Sequence, residues 1–189
     1  MVRTMAALPL ADLAALREAW LSHLTAELTV ARGVREQVHA DPRLSGDEEP
    51  TADLVADALE IPMQRIAGTG RIGRIGPQTG PAVMLRAEMD ALPIEEATGA
   101  PFASTNGAMH ACGHDVHMAA LVAVVRAARG LDLPVGLVPL LQPREESAPH
   151  GGFDVVSSGL LHDHQVGVSV GAHVHADVPL GSVATGAGG

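Results

Sequence analysis

Ala82-Val83-Met84-Leu85-Arg86-Ala87, Val116-His117-Met118-Ala119-Ala120-Leu121-Val122-Ala123-Val124-Val125-Arg126-Ala127-Ala128-Arg129 and Val135-Gly136-Leu137-Val138-Pro139-Leu140-Leu141 are the segments that decide the fold. The first and third are short apolar runs of strand length, and the second is long, rich in Ala, Val, Leu and Met, and reads as a buried helix. Residues 166–172 form one more run of the strand kind. Strand, helix, strand, strand after a helical N-terminal region predicts an α/β fold: a three-layer domain with a largely parallel sheet flanked by helices. In such sheets ligands bind beyond the carboxyl ends of the strands, so the polar residues there carry the functional question.

Upstream, Leu10, Leu13, Trp20, Leu21, Leu24 and Leu28 recur at helical spacing with charges between them, which marks residues 1–30 as an amphipathic helical region. Leu54, Val55, Ala58 and Leu59 repeat the pattern after Pro50, a residue suited to a first helical turn. Asp47, Glu48 and Glu49 before it read as a solvated helix start, where carboxylates favour the positive end of the helix dipole. Gly68-Thr69-Gly70-Arg71-Ile72-Gly73 is formally a GxGxxG. A dinucleotide site needs a helix to begin at its third glycine, and Gly76, Pro77 and Gly80 follow instead, so residues 68–80 read as strands and turns.

The 189 residues, 47% hydrophobic and 18% charged, suit one globular domain of ordinary size and exclude a disordered acidic tail. All 12 basic residues are Arg, against 22 acidic ones, for a formal net charge of -10. The lack of Lys excludes Schiff-base and P-loop lysine chemistry. With no Tyr, one Trp and two Phe, base-stacking platforms are missing, and the negative field opposes a nucleic-acid partner. The single cysteine, Cys112, has no internal disulfide partner. No signal peptide is evident, and the longest apolar run, residues 118–125, falls short of the ~18 residues of a membrane span. A cytoplasmic protein without membrane contact is the expectation.

Ligand-type residues follow each strand: Glu88 and Asp90, then His110, Cys112, His114, Asp115 and His117, then Glu145 and Glu146, then His173 and His175. In Cys112-Gly113-His114 the glycine lets the backbone bend so that thiolate and imidazole face one ion, a donor set suited to Zn, Mn, Co or Ni. The bland alternative is a buried thiol beside a helix-start histidine. Glu145-Glu146 are adjacent in what reads as an extended segment, so their side chains diverge: one can bind metal while the other takes a proton from water. A solvated acidic pair is the alternative. A thiol nucleophile, with His114 or His110 as base, is a further reading, weakened by close sequence spacing.

Taken in order, Arg86-Ala87-Glu88-Met89-Asp90-Ala91-Leu92-Pro93-Ile94, Met109-His110-Ala111-Cys112-Gly113-His114-Asp115-Val116-His117-Met118-Ala119, Gln142-Pro143-Arg144-Glu145-Glu146 and Gly171-Ala172-His173-Val174 resemble successive signatures of one family. It is that of the amidohydrolases that include hippurate hydrolase and the indole-acetyl-amino-acid hydrolases, within the aminoacylase and carboxypeptidase metallopeptidases. Val34-Arg35-Glu36-Gln37-Val38-His39-Ala40-Asp41-Pro42-Arg43-Leu44-Ser45 resembles the family's opening helix-to-loop segment, so the likeness spans residues 30–186. It implies two divalent transition-metal ions, with Cys112, His114, Glu146 and His173 as ligands, Glu145 as general base and acid, and Asp90 supporting a ligand. The implied reaction is metal-dependent hydrolysis of an amide bond in N-acyl amino acids or related small-molecule amides by metal-activated water.

Three departures qualify the likeness. Glu88 stands where the family usually has Asp, which adds a methylene beside the site. Arg144 stands where a small residue usually precedes the acid pair, which puts a cation beside Glu145 and favours its ionised form. Family members also continue beyond the segment around His173 into a lid and dimerisation domain, then return to supply one more His ligand. Residues 31–189 are therefore expected to be a partial, truncated catalytic domain, for which a family-type homodimer is not expected. The alternative function is an inactive remnant that binds metal without catalysis. His150, His162, His164 and His175 are nominal substitutes for the last ligand and read as surface residues.

Overall fold

The computed structural model describes residues 9–185, so the closing Gly186-Ala187-Gly188-Gly189 lies outside the described residues. The elements are α1 (Leu10–Ala40), α2 (Glu49–Leu59), β1 (Met63–Ile66), β2 (Gly70–Gly73), β3 (Ala82–Glu88), α3 (His114–Ala128), β4 (Gly136–Gln142), α4 (Gly151–Ser157), α5 (Leu160–Asp163) and β5 (Val166–Gly171). One five-stranded sheet runs in the order β1-β2-β4-β3-β5. β3 pairs in parallel with both β4 and β5, and α3 supplies the crossover that a parallel β3–β4 pair requires. The β1–β2 hairpin pairs antiparallel from Met63↔Gly73 to Ile66↔Gly70 and docks antiparallel on β4, so the sheet as a whole is mixed. A tight turn across residues 67–69 leaves those two strands no other direction. The formal GxGxxG thus lies in a hairpin turn and strand, and no helix follows it.

Alternation along the strands separates two apolar layers. Leu137 and Leu141 of β4 join Val34, Val38, Val55, Leu59, Met118 and Val122 beneath α1, α2 and α3. Val138 and Leu140 face the other way, with Ile72, Met84 and Val155 under α4 and α5. Helices, sheet and helices therefore make the three layers that the sequence predicts.

α1 runs unbroken across residues 30 and 31 and packs along α3. Its covered stripe differs in part from the sequence reading. Leu16, Trp20 and Leu24 pack on the core and Trp20 Nε1 donates to the Val124 carbonyl at 3.0 Å, whereas Leu10, Leu13, Leu21 and Leu28 are exposed. The acids before α2 also depart from expectation. Asp47 is solvated, but Glu48 is fully buried and Glu49 is half-buried against Arg65 and Arg71. Among the described residues no helix is long and apolar enough to cross a membrane.

Candidate metal centre

The ends of β3, β4 and β5 and the first turn of α3 open on one side of the sheet and bring the ligand-type residues together. α3 begins at His114, two residues before the sequence reading places it, so His114 and Asp115 belong to its first turn. Gly113 caps it in the left-handed region at φ 84°. A Cβ there would come within 2.3 Å of Val174 Cγ2, so any other residue would force the Val174 side chain, next to His173, to shift.

Cys112 Sγ lies 3.2 Å from Nε2 of His173. Donor atoms of Cys112, His114 and His173 all fall within 4.8 Å of one another, and so do those of His114, Glu145 and Glu146. His114 links the two groups, with Nε2 3.8 Å from Glu146 Oε1 and 4.0 Å from Glu145 Oε2. The imidazole tautomers follow from their partners. His114 Nδ1 donates to the Asp90 carbonyl at 2.8 Å and His173 Nδ1 to the Val174 carbonyl at 2.6 Å. Carbonyls only accept, so in the neutral rings both Nε2 atoms present lone pairs toward the thiol and the acids. Glu145 and Glu146 do not diverge as an extended segment would make them. Arg144 takes a left-handed φ of 49°, the backbone turns, and both carboxylates approach His114.

These residues fit a cation. Buried His114 Nε2, Glu146 Oε1 and Asp90 Oδ1 have no hydrogen-bond partner, each a cost of about 1–3 kcal/mol unless something else satisfies it. The surroundings are rich in acid. Burial and the neighbouring carboxylates of Glu146, Glu145 and Glu88 push the Cys112 thiol up to about 11. Burial lowers the His114 pKa, but Asp90 and Glu88 override it and raise it above its ordinary value. A thiol whose ionisation is opposed and an imidazole whose charged form is favoured both register uncompensated negative charge, which a divalent cation would neutralise.

Asp90 supports two of these groups. Its carbonyl fixes His114, while its Oδ2 accepts from Glu146 N–H at 2.8 Å and Ser45 O–H at 2.6 Å. Burial opposes its ionisation, yet these donors and His114 hold it at about 2. The extra methylene of Glu88 carries its carboxylate to His117 Nδ1 at 3.0 Å and to Arg86 at 2.9 Å, and these partners overcome burial to hold it at about 2. His117 Nε2 in turn accepts from Val174 N–H at 3.0 Å. Glu88, His114 and His117 also cluster, but both His117 nitrogens are already engaged. Arg144 is not beside the acids as expected: its guanidinium turns away to Asp154 on α4.

Other histidines stay apart. His162 and His175 are exposed, His164 meets Gln64, and His150 Nδ1 donates to the Glu145 carbonyl. His110 is buried with neither nitrogen partnered, and burial drives its pKa down to about 4. Sequence reasoning counted His117 among the ligand-type residues without a specific role and gave Ser45 none, although both stand inside quoted motifs.

Peptidase family M20/M25/M40 matches residues 84–188. The chain belongs to this family. An N-acyl-L-amino acid amidohydrolase of Geobacillus stearothermophilus is 38% identical over 157 residues, 79% of this chain and 42% of that protein. A Rhodococcus jostii protein named for a glutamate–cysteine ligase is 38% identical over 151 residues, 77% of this chain but 18% of that protein. Among solved structures, the Bacillus subtilis YXEP protein, described as a dinuclear metal binding peptidase from the M20 family, superposes with a TM-score of 0.73 and 34% identity. That match covers 83% of this chain and 45% of the M20 protein. The chain thus spans less than half the length of these relatives.

Proposed function

We propose that the chain is part of a metal-dependent amidohydrolase that cleaves N-acyl amino acids or related amides to a carboxylic acid and an amine. The convergence of Cys112, His114 and His173 with Glu145 and Glu146 carries this reading. Cys112, His114, Glu146 and His173 would hold two divalent ions of the Mn, Zn, Co or Ni kind. Bound there, such ions supply Lewis-acid polarisation of a carbonyl and a lowered pKa for water. Glu145, the more exposed of the two acids, takes the proton of the attacking water as oxygen bonds to the carbonyl carbon. When the C–N bond breaks, Glu145 returns that proton to the leaving nitrogen. Asp90 keeps His114 and Glu146 in place. A cleft of about 400 Å³ beside Glu145, edged by His150, Phe153 and Val156, has room for the apolar acyl portion of such an amide. A free thiol in a ligand position suits a reducing, cytoplasmic setting.

Cation content by mass spectrometry, with and without Cys112→Ala and His114→Ala, tests the reading; variants that retain full content would remove its basis. Hydrolysis of hippurate-type amides, lost in Glu145→Gln, tests the chemistry. Bound metal with no hydrolysis at any protein concentration would favour the alternative, a metal-binding fragment without catalysis. The close Cys112–His173 pair favours a second reading, a thiol nucleophile with His173 as base. Three neighbouring carboxylates oppose the thiolate that reading needs. Activity that resists chelators but not iodoacetamide would support it.

A further inference from the structure

Glu48 sits at the start of α2, where an acid ordinarily faces water or caps its own helix. It does neither. The residue is fully buried, and its side chain makes no capping bond to α2. Oε1 accepts the Arg144 N–H at 2.8 Å and Oε2 accepts the Thr69 O–H at 2.7 Å. Among the described residues it forms no salt bridge. Burying a carboxylate on neutral donors alone is costly, and the donor it meets is the amide of the residue that turns the acid-bearing loop.

Arg144 adopts a left-handed backbone without being glycine, a conformation that persists only where the surroundings hold it. Its amide is held by Glu48, its carbonyl accepts the Gly151 N–H at 2.9 Å, and its guanidinium pairs with Asp154. The two peptide planes that meet at the Arg144 Cα are thereby each held, the preceding one by Glu48 through the amide and the following one by Gly151 through the carbonyl, and the backbone angles between them set where the next two side chains leave the chain. We propose that Glu48 is a positioning residue for the acid pair: its grip on the Arg144 amide aims Glu145 and Glu146 at His114. This rests on the role proposed above for those acids.

The experiment uses the 189-residue chain and two measurements. Hydrogen exchange at the Arg144 and Glu146 amides reads the tether itself. Zn²⁺ affinity, by competition with a chromophoric chelator, reads its consequence. In Glu48→Ala the Arg144 amide exchanges at least about 10-fold faster and Zn²⁺ binds roughly 10-fold or more weakly. Glu48→Asp, which withdraws both oxygens by one methylene, behaves like Ala and decides the matter if the Ala variant does not fold. Glu48→Gln stays within about 3-fold of the parent, because its carbonyl accepts from Arg144 and its amide donates to Thr69. An Arg144 amide equally protected in Glu48→Ala and Glu48→Asp overturns the proposal. So does exchange that quickens without loss of Zn²⁺ affinity, provided Glu146→Ala does lower it. Unchanged affinity in Glu146→Ala itself overturns the metal reading of the site, and the positioning role falls with it.

Discussion

Cys112 Sγ and His173 Nε2 stand 3.2 Å apart although 61 residues separate them in sequence. β3 is the physical link: it pairs with β5, whose end delivers His173, and its own end leads toward the Gly113 turn that presents Cys112. If the thiol is a ligand, Co²⁺ added to the chain produces a thiolate-to-cobalt charge-transfer band. That band disappears in Cys112→Ser and weakens in His173→Ala; an undiminished band in the Cys112 variant would rule out sulfur ligation.

His117 is expected to matter for metal binding without touching metal. It accepts the Val174 amide and donates to Glu88, so it ties the His173 segment to β3. His117→Ala removes that tie and should lower Zn²⁺ affinity about 10- to 100-fold, the range for groups that orient ligands. Parent-like affinity in a folded His117→Ala chain would leave His117 a packing residue only.

Met118 lies one residue beyond His117 and points into the fully buried core under α1 and α2. Met118→Ala should cost about 2–5 kcal/mol in urea unfolding, from lost transfer energy plus the cavity left behind. Leu10→Ala, at a residue 86% exposed at the start of α1, should stay within about 0.5 kcal/mol. Equal effects at the two positions would contradict the packing described above.

His39 ties α1 to the first turn of α3 and predicts a pH dependence of stability. Its Nδ1 meets Asp115 Oδ2 at 2.9 Å and its Nε2 meets Glu96 Oε1 at 3.0 Å, an arrangement that requires both nitrogens to carry hydrogen. Burial lowers its pKa, but the two acids outweigh burial and raise it above 6.5. A folded value above the unfolded one means that the stabilisation is complete below pH 6.5 and is lost as pH rises through the raised value. The parent should exceed His39→Gln by about 1.5–3 kcal/mol in mildly acidic buffer, with the gap narrowing in alkaline buffer. A gap that widens with pH would reverse the assignment.

Much of the architecture is legible in local pattern. The apolar runs at residues 82–87 and 135–141 and the helical stretch from Val116 report their own burial, because side-chain periodicity is a property of neighbours in the chain. Cys112-Gly113-His114 is legible for the same reason: one glycine sets the angle between two donors. The solvated reading of Glu48 and the divergent reading of Glu145 and Glu146 failed where burial or a backbone turn depends on partners far away in sequence.

The amino-acid sequence by itself determined the α/β class, through short-range spacing of residue types, and the family of the chain, through the resemblance of its ordered motifs; it also led to the expectation that the ligand-type residues lie at the strand ends. Only the tertiary structure decided that the hairpin of β1 and β2 makes the sheet mixed, that Cys112 meets His173, that Arg144 turns to Asp154, and that Glu48 leaves water for the Arg144 amide. Those outcomes depend on which distant segments the folded chain brings within hydrogen-bond reach, and no local propensity encodes that.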